Sequence, residues 1–259
     1  MNHQELIAID MHTHAEVSCW NPFDAYGEAY DRAADKYFRS TRRPTIAESL
    51  DAYRALKVGL VMFTVDAEAQ LGRRRIPNEE IAEAAQKNPD IMIAFGSIDP
   101  HKGRMGAREA RRLIEEHGVR GFKFHPTVQG FHPNDRMAWP IYEVINEHAL
   151  PAVFHSGHSG IGSGMRCGGG LRLEYSNPMH LDDVAIGFPD MQMQHGGTGF
   201  VTIHRLLDLV FHADGDIFRE VGRDPAWCIG RGGDDQWLLV FRIKVTVEEV
   251  HGRRLRIEM

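Results

Sequence analysis

The chain has 259 residues, 42% of them apolar, which suits one large α/β domain or two small ones with a full core. Its 30 basic and 36 acidic residues leave a net charge of −6, with the basic side chains scattered, which excludes the basic footprint of a nucleic-acid binder. No apolar run is long enough to span a membrane. The first residues lack the charged and apolar regions of a secretory signal. Cys19, Cys167 and Cys228 have no CxxC spacing, which argues against a disulfide framework and makes a reducing cytoplasm the default.

The apolar run Leu6 to Ile9 predicts a short buried strand that ends in Asp10-Met11-His12-Thr13-His14. Side chains alternate along a strand, so His12 and His14 share one side. Two neutral imidazoles at a strand end make half a metal site. The plain alternative is a pair of surface histidines near the N-terminus. Residues 16–43 follow with no clean period and many aromatics, among them Trp20, Tyr30, Tyr37 and Phe38. This stretch reads as a lid-like insertion over the strand end, serving either as a substrate wall or as a packed surface excursion.

Thr45 to Glu48 is a capping box opening a helix with Ile46, Leu50 and Tyr53 on one face. Gly59 to Val65 is a second strand. Asn78 is expected to cap a helix that stops at Asn88-Pro89. Ile91 to Ile98 is a third strand. The next helix carries Ala107, Ala110, Leu113 and Ile114 inward and closes at Gly118. Val119 to Phe124 is a fourth strand, Pro140 opens the following helix, and Pro151 to Phe154 is a fifth strand. Asn177-Pro178 starts a helix towards Gly187, and Asp190 to Gln194 is a weaker sixth strand.

Such β-then-α alternation means a parallel sheet, either doubly wound or closed into a barrel. Polar residues fall after strands one, four, five and six, which do not meet at a single switch point. Convergence from several strand ends marks the C-terminal face of a (β/α)8 TIM barrel.

The fourth strand ends in Gly121-Phe122-Lys123-Phe124-His125-Pro126. Lys123 and His125 share a side, and Lys123 reads as a substrate contact, a buried ion pair or, less readily, a carbamylated metal ligand. The fifth ends in His155-Ser156-Gly157-His158. His155 is the natural third ligand, directly after the apolar run, and His158 is a loop histidine able to touch substrate. The glycine-rich loop beyond it carries Arg166 and Arg172 and matches no phosphate-cradling pattern. It reads as a mobile wall whose arginines clamp an acid, or as a linker with solvated arginines. His195, in Gln194-His195-Gly196-Gly197, is a fourth histidine in register with the barrel mouth.

The IDMHTH, GFKFHP, FHSGHSG and FPDMQMQHGG segments together resemble the amidohydrolase-related superfamily. The branch is that of aminocarboxymuconate-semialdehyde decarboxylase, resorcylate-type decarboxylases and small hydrolases of aromatic catabolism. The resemblance covers residues 1–197. It implies a (β/α)8 barrel with one divalent ion, zinc first and manganese second, held by His12, His14 and His155. It implies a role near metal or substrate for His195, the expected catalytic residue. Beside it, Lys123, His125, His158 and Arg166 are read from their own positions as the contacts of an acidic small-molecule substrate. The expected activity is hydrolysis of a small carbonyl or carboxylic compound, aryl β-ketoacyl thioesters included, with non-oxidative decarboxylation as the alternative. The sequence leaves room for a homodimer without fixing the oligomeric state.

The family also carries an Asp after the eighth strand, in a Gly-Ser/Thr-Asp context, and the segment 198–259 has none. That segment holds one apolar run, Trp237 to Val247, which begins after Asp234-Asp235 instead of before them. It reads as replaced or translated out of frame, so the barrel is expected to be incomplete or altered at its C-terminal strands. Asp214, Asp216, Asp234 and Asp235 are the substitute carboxylates on offer, none in a convincing context. An inactive relative that keeps the pocket is therefore a second reading. A doubly wound nucleotide binder is disfavoured because no phosphate loop follows the first strand.

Overall fold

Two strands of near-continuous apolar character set the centre of the fold. In the computed structural model, which describes residues 6–21, 28–39, 43–196, 227–231 and 237–241, β1 (Ala8–His14) pairs in parallel with β2 (Val58–Phe63). The register runs from Ala8↔Val58 to His14↔Phe63 and slips between Asp10 and Thr13. Every residue of β2 is buried, the mark of a strand covered on both faces. β3 (Met92–Ala94) pairs in parallel with the far side of β2. Only three residues of the expected run Ile91 to Ile98 hold strand geometry. Beyond them Gly96 leaves β2 and bridges to Phe122, the Gly96 N–H donating to the Gly121 carbonyl (2.9 Å) and its carbonyl accepting from Lys123 (2.7 Å).

That bridge carries the curve on to β4 (Phe122–Phe124), β5 (Pro151–His155) and β6 (Gln192–Gly196), each parallel to the one before. Gly121 is required by this close approach. A Cβ there would stand 2.5 Å from the buried Phe95 ring, closer than real side chains come. Six parallel strands in chain order, with helices between, are the barrel arc that the polar strand ends predict.

The helices are α1 (Glu28–Phe38), α2 (Ile46–Leu56), α3 (Glu68–Leu71), α4 (Asn78–Lys87), α5 (Arg104–Glu115), α6 (Pro126–Gln129), α7 (Trp139–Glu147) and α8 (Leu181–Gly187). The capping box of α2 forms as expected, Thr45 accepting from the Glu48 N–H and Glu48 accepting from the Thr45 N–H. Asn78 does not cap α4. Pro77 holds the cap position, and the Asn78 side chain instead binds Ser97 beyond the next strand, accepting from its N–H and donating to its carbonyl, each at 2.8 Å. A long-range pair of hydrogen bonds outcompetes the local one. Asn177 caps a 3-10 turn (Pro178–His180) that leads into α8.

The C-terminal strands are altered, as the missing motif predicts. β7 (Trp227–Arg231) runs antiparallel to β1, with Ala8↔Gly230 and Asp10↔Cys228, and β8 (Trp237–Phe241) runs antiparallel to β7. A complete (β/α)8 barrel closes on β1 with a parallel strand. Asp214, Asp216, Asp234 and Asp235 lie outside the described residues. Among the described residues, no helix is long and apolar enough to cross a membrane.

Candidate metal centre

The parallel strands end on one face, and there β1 delivers His12 and His14 to the same side. Their Nε2 atoms stand 3.2 Å apart. Two ligand atoms at about 2.1 Å from an ion lie roughly 3.0–3.4 Å apart at right-angle to tetrahedral geometry, so the spacing fits a shared divalent ion. It also fits one imidazole–imidazole hydrogen bond. Both rings rest edge-on against Phe63 of β2, with centroids 5.2 and 4.9 Å away, which fixes their planes. Behind them Asp10 accepts from the His12 N–H (2.8 Å) and from the Tyr53 hydroxyl (2.6 Å), pinning the strand end to α2. Burial raises the pKa of Asp10.

Lys123 of β4 is fully buried beneath this pair, its Nζ 3.4 Å from His12 Nε2 and 5.1 Å from the Phe63 ring centre. Among the described residues no carboxylate pairs with it, and Asp214, Asp216, Asp234 and Asp235 lie outside them. Desolvation alone brings its pKa down to about 7. Desolvation is likewise the main cause that lowers His14 to about 3 and His155 to about 4, with Lys123 adding to both. His12 and His125 are lowered for the same reason. Four imidazoles are thus held neutral, the form that binds metal.

His155, at the end of β5, stacks on His125 with ring centres 3.9 Å apart and planes 12° off parallel. Its Nε2 bonds the His158 carbonyl at 2.9 Å. In this arrangement it is not within joint ligating distance of His12 and His14. Among the described residues the one trio of His, Cys, Asp or Glu ligand atoms mutually within 4.8 Å is elsewhere, at His132, Glu174 and His180. Two of the three expected ligands are therefore brought together, and the third stands on the same cavity wall. His195 lies on β6 opposite Phe154, and its side chain lies outside the described residues.

His12, His14, His125 and His155 all line one cavity of about 890 Å³. Its outer wall is the insertion. Helix α1 reaches the glycine-rich loop, where Tyr30 donates to the Gly169 carbonyl (2.8 Å), and a Cβ at Gly160 would stand 2.4 Å from Tyr37. Described residues of the insertion, Tyr30, Asp31 and Phe38 among them, thus form part of the cavity wall. The side chains of His158 and Arg166 are exposed and do not line the cavity. His158 contributes its carbonyl to His155 instead. The arginines on the wall are Arg43, Arg73, Arg74 and Arg75, which sequence reasoning missed. Arg43 and Arg73 meet Asp31 of α1 at 2.7 and 2.9 Å, and Arg43 also meets Asp35 at 2.6 Å. Arg73, Arg74 and Arg75 are consecutive, a local run that the sequence does show, whereas Arg43 joins them only through the fold.

Solved structures with this fold include an uncharacterised TIM-barrel protein of Bordetella bronchiseptica (20% identity, TM-score 0.53, 71% of this chain and 64% of that one). Another is 5-carboxyvanillate decarboxylase of Novosphingobium aromaticivorans, complexed with manganese and 4-hydroxy-3-methoxy-5-nitrobenzoic acid (17%, 0.52, 76% and 66%). A third is 2,6-dihydroxybenzoate decarboxylase from Rhizobium (13%, 0.52, 74% and 66%). The chain thus spans about two thirds of their length or slightly less. No curated protein matches it. The model of the amidohydrolase family matches residues 9–237, running past Gly197 into the atypical segment, and the chain belongs to that family.

Proposed function

We propose that the chain is a metal-dependent hydrolase of a small carbonyl or carboxylic compound of the aromatic-acid type. The observation that carries the reading is the His12–His14 pair, neutral and 3.2 Å apart at the floor of a cavity. In this reading His12 and His14 hold one divalent ion, zinc or manganese, and His155 joins them by giving up the His158 carbonyl. The ion supplies Lewis acidity, polarising a carbonyl and lowering the pKa of water to roughly 7. His195 takes and returns the proton. Lys123 acts on the substrate only through His12, as a positioning residue. Arg43 or Arg73 replaces Arg166 as the group that meets the substrate's acid, exchanging Asp31 for it. Phe38, Val65, Val128 and Ile161 give the cavity an apolar lining that suits an aromatic ring.

Non-oxidative decarboxylation is the second reading, favoured by the two decarboxylases among the structures of like fold. Metal analysis beside a His12→Ala/His14→Ala double variant tests the centre, and the variant is expected to hold one equivalent less. Incubating the loaded chain with aryl acids and with aryl β-ketoacyl thioesters separates the two reactions. Turnover of the acids alone rejects hydrolysis. Metal binding with no turnover at all supports the inactive relative.

A further inference from the structure

Outside the cavity, three metal-ligating side chains from three separate segments converge. His132 lies in the turn after α6, Glu174 in a 3-10 turn (Leu173–Ser176), and His180 ends the 3-10 turn before α8. One ligand atom of each lies within 4.8 Å of the other two. His180 Nε2 and Glu174 Oε1 are 3.0 Å apart, and the His132 ring stands 4.7 Å from the His180 ring and 4.7 Å from that of Tyr175. None of the three lines the cavity.

We propose that His132, Glu174 and His180 form a second divalent-cation site of the zinc class, structural in role, which fastens the base of the glycine-rich wall to the segment after β4. Two imidazoles and one carboxylate are a zinc donor set, and a fourth position is left to water because Glu174 faces solvent. A hydrogen-bonded triad does not account for the arrangement. The His180–Glu174 contact leaves His132 out, and His132 Nδ1 is buried with no hydrogen-bond partner among the described residues. A buried ring nitrogen left so is costly unless the ring has other work.

The position explains what an ion would do there. Ser176, between Glu174 and His180, accepts from the Gly157 N–H at 2.7 Å, and its hydroxyl is 2.6 Å from that of Thr127. Gly157 begins the loop that leaves His155, and Thr127 belongs to α6. An ion on the trio would therefore hold the exit of the His155 strand and the root of the cavity wall in one arrangement.

The test uses the full chain carrying His12→Ala/His14→Ala, so that the first centre cannot contribute. After chelation and dialysis against zinc, this variant is expected to keep about one equivalent. Adding Glu174→Gln and His180→Gln should remove it, and the same pair in the parent chain should remove one equivalent of two. Loading with Co²⁺ gives an independent readout, the visible bands of a tetrahedral ion, lost with the pair. Zinc should also slow hydrogen exchange over residues 157–172 only where Glu174 and His180 are intact. Glu174 is exposed, so Glu174→Gln alone serves as the variant least able to disturb folding. No zinc in the His12/His14 variant, or zinc that survives the Glu174 and His180 substitutions, overturns the proposal.

Discussion

Lys123→Met should stabilise the metal-free protein, and by an amount that depends on pH. Lys123 is fully buried with its ammonium against His12 and the Phe63 ring, and desolvation alone takes its pKa from 10.5 to about 7. The folded state therefore binds this proton less tightly than the unfolded state does. The penalty is present in full below pH 7 and is relieved as pH rises through 7 towards 10.5. A drop of about 3.5 units corresponds to roughly 4–5 kcal/mol at low pH, of which about 2 kcal/mol is left at pH 9. Methionine keeps an unbranched apolar stem of similar reach, and the lost contact with His12 offsets about 1 kcal/mol. Urea unfolding at pH 6, 7.5 and 9 should show the variant more stable by about 3–4 kcal/mol at pH 6 and by about 1 kcal/mol at pH 9. A variant no more stable than its parent, or a gain that does not change with pH, refutes a charge-burial penalty at Lys123.

Metal affinity at the His12–His14 pair should fall less than tenfold between pH 7.5 and 5.5. An ordinary histidine loses roughly tenfold in its neutral fraction over that range, so a pair of them would lose about a hundredfold. His14 is already held at about 3, and His12 is lowered too. Titration calorimetry of zinc at the two pH values decides between them. Gly121→Ala should cost about 1–3 kcal/mol by overpacking, because Phe95 is buried and its ring cannot withdraw from the new Cβ; unchanged thermal unfolding would contradict the tight β3–β4 approach. The coding DNA beyond Gly197, translated in its other two frames, should restore a Gly-Ser/Thr-Asp segment, and its absence from both frames removes the frame-change account of the tail.

What could be read in the sequence and what could not divide along the range of the interactions. The alternation of β1 is a local property, so the common side of His12 and His14 was legible, as was the capping box of α2. Asn78 looked like a cap because asparagine caps helices locally, but its partner Ser97 is a strand away. Ile91 to Ile98 looked like one long strand because Ile91 to Phe95 are apolar throughout and Ile98 resumes the pattern, whereas Gly96 changes neighbours halfway. Helix α1 hid in residues 16–43 because its aromatics face a glycine loop and a cavity instead of the core, which blurs the usual helical period. Arg166 drew attention by standing in a glycine-rich loop, while Arg43 and the Arg73–Arg75 run became neighbours only through the fold, across Asp31.

The altered C-terminus separates two jobs that a complete barrel gives to one strand. β7 pairs with β1 over Ala8 to Asp10 only, so it satisfies the backbone of an edge that would otherwise stand open. It stops short of His12 and His14. Its direction matters more than its reach. A parallel strand beside β1 ends at the histidine face, and a carboxylate for that face follows it in the sequence. β7 is antiparallel, so it enters at the histidine face and leaves at the far end. Any carboxylate that it brings to the ion must precede Trp227, which the family's order of strand then Asp never allows. The barrel edge can thus be closed by almost any strand-forming segment, while the completion of the metal centre depends on which way that segment runs.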